Sequence, residues 1–198
     1  MIHDAHARPA ESSLRVVRLS PNVRRVELSG ALPIGWLGNF TRGATAHGLD
    51  IVRGHAQRAA SRNWSAELEV RSATPFELER VDFFALARTP SAAASEVAAL
   101  GVELLEFELG RASTRADMLE LQVRARDRVG FLAALLEHLA GFVLFPDEIS
   151  IDTHQGEAQD TLVLSSVGGQ SPSPEVEQSL RSSMNACRRE RGSLWPSM

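Results

Sequence analysis

The chain contains no lysine, no tyrosine and a single cysteine, Cys187. Without a lysine amine there is no Walker-type phosphate loop, no Schiff-base nucleophile and no anchor for pyridoxal phosphate. One cysteine excludes an internal disulfide and any cysteine-rich zinc site, and suits a reducing compartment, so a cytoplasmic protein is expected. The N-terminal stretch MIHDAHARPAESS has no apolar centre of the kind a signal peptide needs and reads as a disordered leader over residues 1–13. An uninterrupted apolar run of membrane-spanning length is also missing. The nearest, Val129 to Phe145, carries Glu137 and His138 at its centre and is broken by Gly141 and Pro146, so a buried helix and its connection explain it better than a bilayer does.

Strong charge bias is absent as well. The net charge is -4, with 12 Arg against 10 acids in residues 1–100 and 9 Arg against 15 acids in residues 101–198. Neither half has the basic excess of a nucleic-acid binder, and no nucleic-acid partner is expected. What the chain does have is 198 residues at 43% hydrophobic content, enough for the cores of one large or two small domains.

The second half is the clearer. In MLELQVRAR, Leu119, Leu121, Val123 and Ala125 alternate with polar residues, which makes a strand buried on one face. A helix follows from Gly130 to about Ala140, with Leu132, Leu135, Leu136 and Leu139 on its apolar stripe and Gly141 as its stop. EISIDTHQGEAQDTLVLSSV reads as a hairpin through a Gln-Gly turn. Ser173 caps a last helix that begins at Pro174 and carries Val176, Leu180 and Met184.

The first half repeats these elements: a strand at 24–29, a helix at 33–46, strands at 49–56 and 64–71. Residues 76–87 fit either helix or extended chain, 92–100 reads as helix and 102–109 as strand. A Gly-Arg-Ala-Ser-Thr-Arg linker at 110–115 separates the halves. Leu14 to Leu19 is left over, and serves as the missing fourth strand of the second unit if the halves interlock.

The strand-to-helix corner Asp127-Arg128-Val129-Gly130-Phe131 is the candidate site. Such a corner aims backbone N–H groups and the helix dipole at one point, which favours a carboxylate. Gly130 admits close approach, and Asp127 can accept from an ammonium group. The alternative is that Asp127 simply caps the helix, for about 1 kcal/mol.

VRARDRVGFLAALLEHLA, followed by ISIDTHQGEAQDTLVLSS and a closing helix, resembles an ACT domain of the type found in tandem in bacterial PII uridylyltransferases and in small stand-alone regulators. The resemblance covers about residues 117–190. It implies α+β architecture: two ferredoxin-like βαββαβ units of ACT type, with antiparallel sheets and helices on one face. Their spans are 14–110 for a divergent unit and 116–192 for the clearer one, with a tail at 193–198. It further implies a non-enzymatic, cytoplasmic regulator without cofactor, metal or membrane partner, that binds a free amino acid or related small metabolite at Asp127, Arg128, Val129, Gly130 and Phe131, and that pairs with itself as a homodimer or with a protein partner.

The sequence departs from that pattern at Phe142 to Glu148, an insertion of about seven residues between helix and strand, and at Thr161-Leu162, where an aromatic residue often stands. In the first half, SGALPIGWLGNF places Gly30, Pro33 and Gly35 at the equivalent corner without an acid. Three other readings compete. Paired units can form a ligand-free scaffold. Asp152, His154, Glu157 and Asp160 surround a hairpin turn and can be read as metal ligands or as a small catalytic cluster, though zinc sites need three or four ligands with outer-shell support. Exposed Arg124, Arg126, Glu67 and Glu69 read as matching charges between units or chains.

Overall fold

A computed structural model describes residues 12–89 and 101–188. Eight strands form one sheet: β1 (Ser13–Ser20), β2 (Val23–Gly30), β3 (Leu49–Arg58), β4 (Trp64–Ser72), β5 (Glu106–Arg111), β6 (Leu119–Arg126), β7 (Leu144–His154) and β8 (Glu157–Ser166). Their spatial order is β1-β2-β4-β3-β7-β8-β6-β5, and every neighbouring pair is antiparallel. Five helices accompany it among the described residues: α1 (Trp36–Ala46), α2 (Pro75–Glu79), α3 (Phe83–Arg88), α4 (Phe131–Ala140) and α5 (Pro174–Cys187). None is long and apolar enough to cross a membrane.

The alternation in the strands decides which face is covered. Val26 and Leu28 of β2, Ala66, Leu68 and Val70 of β4, Leu121 and Val123 of β6, and Leu162 and Leu164 of β8 all turn inward. With Trp36 and Phe40 of α1, Leu135 and Leu139 of α4, and Leu180 and Met184 of α5 they make one hydrophobic cluster that runs through both halves. The opposite face carries charge ladders. Arg25 pairs with Glu67 and Glu69, and Arg124 with Glu106 and Glu157. These pairs lie within each half, not between halves or chains as the sequence suggested, and such exposed pairs contribute roughly 0.2–1 kcal/mol each. The pair that does cross the junction on this face is Arg53 with Asp152.

The strand order reads the same from either edge because β2-α1-β3-β4 recurs as β6-α4-β7-β8. A shift of 95 residue numbers carries Gly35 to Gly130, both left-handed (φ 76° and 86°) just before their helices. The same shift carries Leu49 to Leu144, the first residues of β3 and β7, and the β3 irregularity between Ile51 and Arg53 to that between Pro146 and Glu148 in β7. It also carries His55 to Ser150, and these two stand opposite each other where β3 pairs with β7. The two halves are therefore related about a point on that ladder.

The outer strands correct the expected topology. Leu14 to Leu19 does not complete the second half: β1 folds back on β2 through a tight turn at Pro21-Asn22. The strand expected at 102–109 starts at Glu106 and pairs with β6, so β5 belongs to the second half's sheet. Each half thus runs ββαββ followed by helix, with the outer strand before the first helix, where βαββαβ places it last. Local closure explains this: a two-residue turn costs less chain entropy than sending β1 across the molecule. The supposed insertion at 142–148 is not a loop either. Residues 144–148 extend β7, and the bulge at Asp147 absorbs the extra residue. Residues 76–87 divide between α2 and α3, with Asp82 capping α3 through Phe84 N and Ala85 N, both at 3.0 Å. The helix expected at 92–100, the tail at 193–198 and almost all of the leader lie outside the described residues.

Gly54 shows how tightly the junction is built. A Cβ there would stand 2.8 Å from the Glu67 carbonyl oxygen and 2.6 Å from Leu68 Cδ2. Gly54→Ala is expected to lower stability by about 1–3 kcal/mol, the usual range for overpacking, whereas His55→Ala on the exposed face should stay within about 0.5 kcal/mol. Urea denaturation midpoints of the two variants test this, and equal midpoints would refute the close approach.

Candidate ligand sites at the junction of the two halves

The β6-to-α4 corner singled out in the sequence packs against the first half. Asp127 N donates to Gly156 O at 2.9 Å, which ties the corner to the β7–β8 turn. The Asp127 carboxylate does not cap α4, which has no side-chain cap. It accepts instead from Arg71 Nη2 at 3.3 Å, and the same guanidinium reaches Asp50 Oδ2 at 2.6 Å. Asp127 therefore bonds across the junction. Gly130 and Phe131 stand beside it, facing Thr41 and Thr45 of α1. Arg128 turns away to donate to Gly101 O at 2.7 Å, and Val129 is exposed. The space left at this corner is about 20 Å³, room for about one water. Asp160, buried beneath it, leaves Oδ1 without a hydrogen bond.

The 95-residue shift leads from this closed corner to an open one. Between the β2-to-α1 corner and the second half lies a cavity of about 960 Å³. Its first wall is the entrance to α1, from Leu32 to Arg42; the opposite wall is the end of α4 and the start of β7, from Leu136 to Glu148. The β3–β4 turn and the Gly168-Gly169 turn close the sides. Gly35 begins α1 in the left-handed conformation with no side-chain cap and no acid in the first turn, which leaves the helix's positive end uncompensated by its own residues.

The floor is apolar. Trp36 and Trp64 meet edge to face at 5.3 Å between ring centres, flanked by Leu136 and Leu144. Charge collects around Asp147, which the β7 bulge turns inward to 2% exposure. Arg58 forms an ion pair with its Oδ1. Arg115 Nη2 stands 3.2 Å from Oδ2, yet that oxygen accepts no aligned hydrogen bond. Trp36 Nε1, in a ring only 1% exposed, likewise has no acceptor. A buried donor and a buried acceptor without aligned protein partners border the same cavity. Arg42 crosses between the helices to pair with Glu137, again 95 residues on, while its other nitrogen reaches Asn39.

Sequence reasoning passed over this corner because it looked for an acid inside the corner. The acid here, Asp147, comes from the other half, at a bulge that had been read as an insertion. The remaining sequence candidates are accounted for differently. Asp152 is paired with Arg53 on the open face of the sheet, and no group of three or more His, Cys, Asp or Glu suited to a metal occurs among the described residues. His138, half-buried, has its Nε2 3.0 Å from Ser183 Oγ of α5, with Phe142 beside the ring, and burial lowers its pKa.

No protein-family profile matches the sequence, and no curated protein matches it. Among solved structures, the crystal structure of aspartate kinase from Synechocystis is similar over 83% of this chain and 27% of its own, with 14% identity and a TM-score of 0.45. The chain thus spans about a quarter of that protein's length.

The closed corner gathers three carboxylates, Asp50, Asp127 and Asp160, near one guanidinium. Burial raises the Asp160 pKa to about 7, with Asp127 and Asp50 adding repulsion, and burial followed by Asp50 raises that of Asp127. A carboxyl whose folded pKa is raised stabilises the fold only while protonated. That contribution is present below its unfolded pKa, near 3.8, and is lost as pH rises towards about 7. Asp160→Asn should therefore gain on the wild type as pH rises from 4.5 to 7, at up to about 1.4 kcal/mol per pH unit, and hold that advantage above pH 8. Denaturation curves at four pH values test it; a gap independent of pH would contradict the assignment.

Proposed function

We propose that the chain is a non-catalytic regulatory protein of two ACT-type, ferredoxin-like units that binds a free amino acid or similar small metabolite between them, and acts in the cytoplasm on itself or on a protein partner. The observation that carries this reading is the cavity of about 960 Å³ walled by both halves, within the size range of small-molecule sites. The fold supports the ACT-type reading through its repeated β-α-β-β core and its helices on one face.

Regulation follows from where the cavity lies. A ligand that touches the entrance of α1 and the start of β7 at once stabilises one relative setting of the halves, and it shifts the population only by its preference for that setting. The open corner is the first choice for the ligand. The closed corner at Asp127, Arg128, Val129, Gly130 and Phe131 is the second, and would have to widen to admit one. Its tight packing also favours a reading in which paired units act as a ligand-free scaffold. Burial raises the Cys187 thiol pKa, which keeps it protonated and slow to oxidise.

Calorimetry and thermal shift with the twenty amino acids and their 2-oxo acids test the proposal. Ile34→Trp fills the rim of the open cavity at a side chain 65% exposed, so the fold should tolerate it to within about 0.5 kcal/mol. A hit is expected that Ile34→Trp abolishes and Asp127→Ala leaves within about twofold. The reverse pattern moves the ligand to the Asp127 corner. No response to any compound leaves the scaffold.

A further inference from the structure

We propose that the open cavity selects an acidic ligand: a metabolite with an apolar body and an anionic oxygen group, held by the guanidinium cluster of Arg58, Arg62 and Arg115. This rests on the ligand-binding reading above and goes beyond it in assigning the sign of the ligand's charge.

The comparison of the two corners isolates the cause. At the positions matching Asp50 and Asp127, the open corner has Phe145 and Leu32. Asp160 pairs with Ile151 and Val123, and the matching site between Ala56 and Leu28 is Ala66. Thr153 of the closed corner corresponds to Arg58. All three carboxylates are thus replaced by apolar residues, and a cation has been added. Four arginines, Arg42, Arg58, Arg62 and Arg115, line the open cavity against Glu137, Asp147 and Glu148.

Arg42 pairs with Glu137 through one nitrogen while its buried Nε has no partner, and Glu148 stands opposite Gln57 in the ladder. Asp147 serves two guanidiniums, and its bond to Arg115 is out of line. The Arg62 side chain, exposed on the β3–β4 turn, has no partner among the described residues. The uncapped start of α1 adds positive potential, and buried Trp36 Nε1 lacks an acceptor. The indole N–H asks for a hydrogen-bond acceptor, which a carboxylate or phosphate oxygen supplies, while the guanidiniums and the helix end attract that oxygen's negative charge. Ile34, Phe145 and Pro146 offer the apolar body a surface.

The test uses probes that share a phenyl body and differ in charge: 3-phenylpropanoate, phenyl phosphate, phenylalanine and phenethylamine. Each is titrated into the ¹⁵N-labelled full chain, and the Trp36 indole N–H resonance, assigned with Trp36→Phe, is followed. At least one anion is expected to bind tenfold or more tighter than the amine, and Arg62→Ala and Arg115→Ala are each expected to weaken it fivefold or more, with Tm unchanged in Arg62→Ala and lowered in Arg115→Ala, which loses a partner of buried Asp147. The tighter of the two anions identifies a carboxylate or a phosphate ester as the recognised group. Equal or tighter binding of the amine, or anion binding indifferent to both substitutions, overturns the proposal. If an uncharged or cationic compound from the metabolite panel binds and Ile34→Trp abolishes that binding, the charge assignment fails while the cavity reading stands. If neither these probes nor the panel moves the Trp36 resonance, both fail.

Discussion

The structure depends on one ladder, the antiparallel pairing of β3 with β7, in which His55 faces Ser150. It turns two four-stranded halves into one sheet and fixes their relation as a two-fold repeat with no freedom of register. A slip of one residue would turn the inward residues of a whole half towards solvent. The ladder is guarded at its centre by Gly54, where the β4 backbone leaves no space for a side chain, and above it α1 crosses α4 with Arg42 paired to Glu137. Because these two residues are themselves related by the repeat, the symmetry point of the sheet and that of the helix layer coincide.

From that arrangement it follows that neither corner belongs to one half. The first turn of each helix faces the last turns of the other helix and the first residues of the other half's third-in-line strand, β7 for α1 and β3 for α4. Side-chain chemistry and the bonds it makes, not size, then distinguish them, since the open corner carries the larger Trp36, Phe145 and Leu32 where the closed one has Phe131, Asp50 and Asp127. Phe131, with Thr41, Thr45 and the Asp50–Arg71–Asp127 chain, fills the corner of the second half. At the matching place in the first half the carboxylates are gone, Asp147 is pulled down by a bulge, and the volume is left open. An identical backbone scheme yields a joint on one side and a cavity on the other.

Much of the sheet was legible in the sequence, because strands covered on one face alternate strictly. Trp64 to Arg71 and Leu119 to Arg126 were placed within a residue or so of their observed limits. The α4 entrance was legible too, since Gly130 occupies a left-handed position that favours glycine. The outer strands were not, because alternation says which face a strand buries and nothing about which neighbour it joins. Asp127 shows a similar limit. Local chemistry offered it as a ligand acceptor or a cap, but its partner Arg71 lies 56 residues away, and only the paired β3 and β7 strands bring the two together. The open cavity was invisible for the same reason: its walls come from five separate stretches of chain.

The closed and open corners are linked through the helices that form them. α1 presents its first turn to the open cavity and Thr41 and Thr45 to the closed corner; α4 does the reverse, with Leu136, Glu137 and Ala140 at the cavity and Phe131 at the joint. An eleven-residue helix transmits displacement along its length far more readily than it bends, since bending strains its hydrogen bonds. Under the proposed function, a rearrangement at one corner would reach the other through these helices, since the central strands β3 and β7 are held by ladders on both sides. The buried carboxylates at the joint make that corner sensitive to charge, and the guanidiniums at the cavity give it the opposite sign. The two corners thus differ in polarity at opposite ends of one helix pair, which is the arrangement that the proposed anion binding would act through.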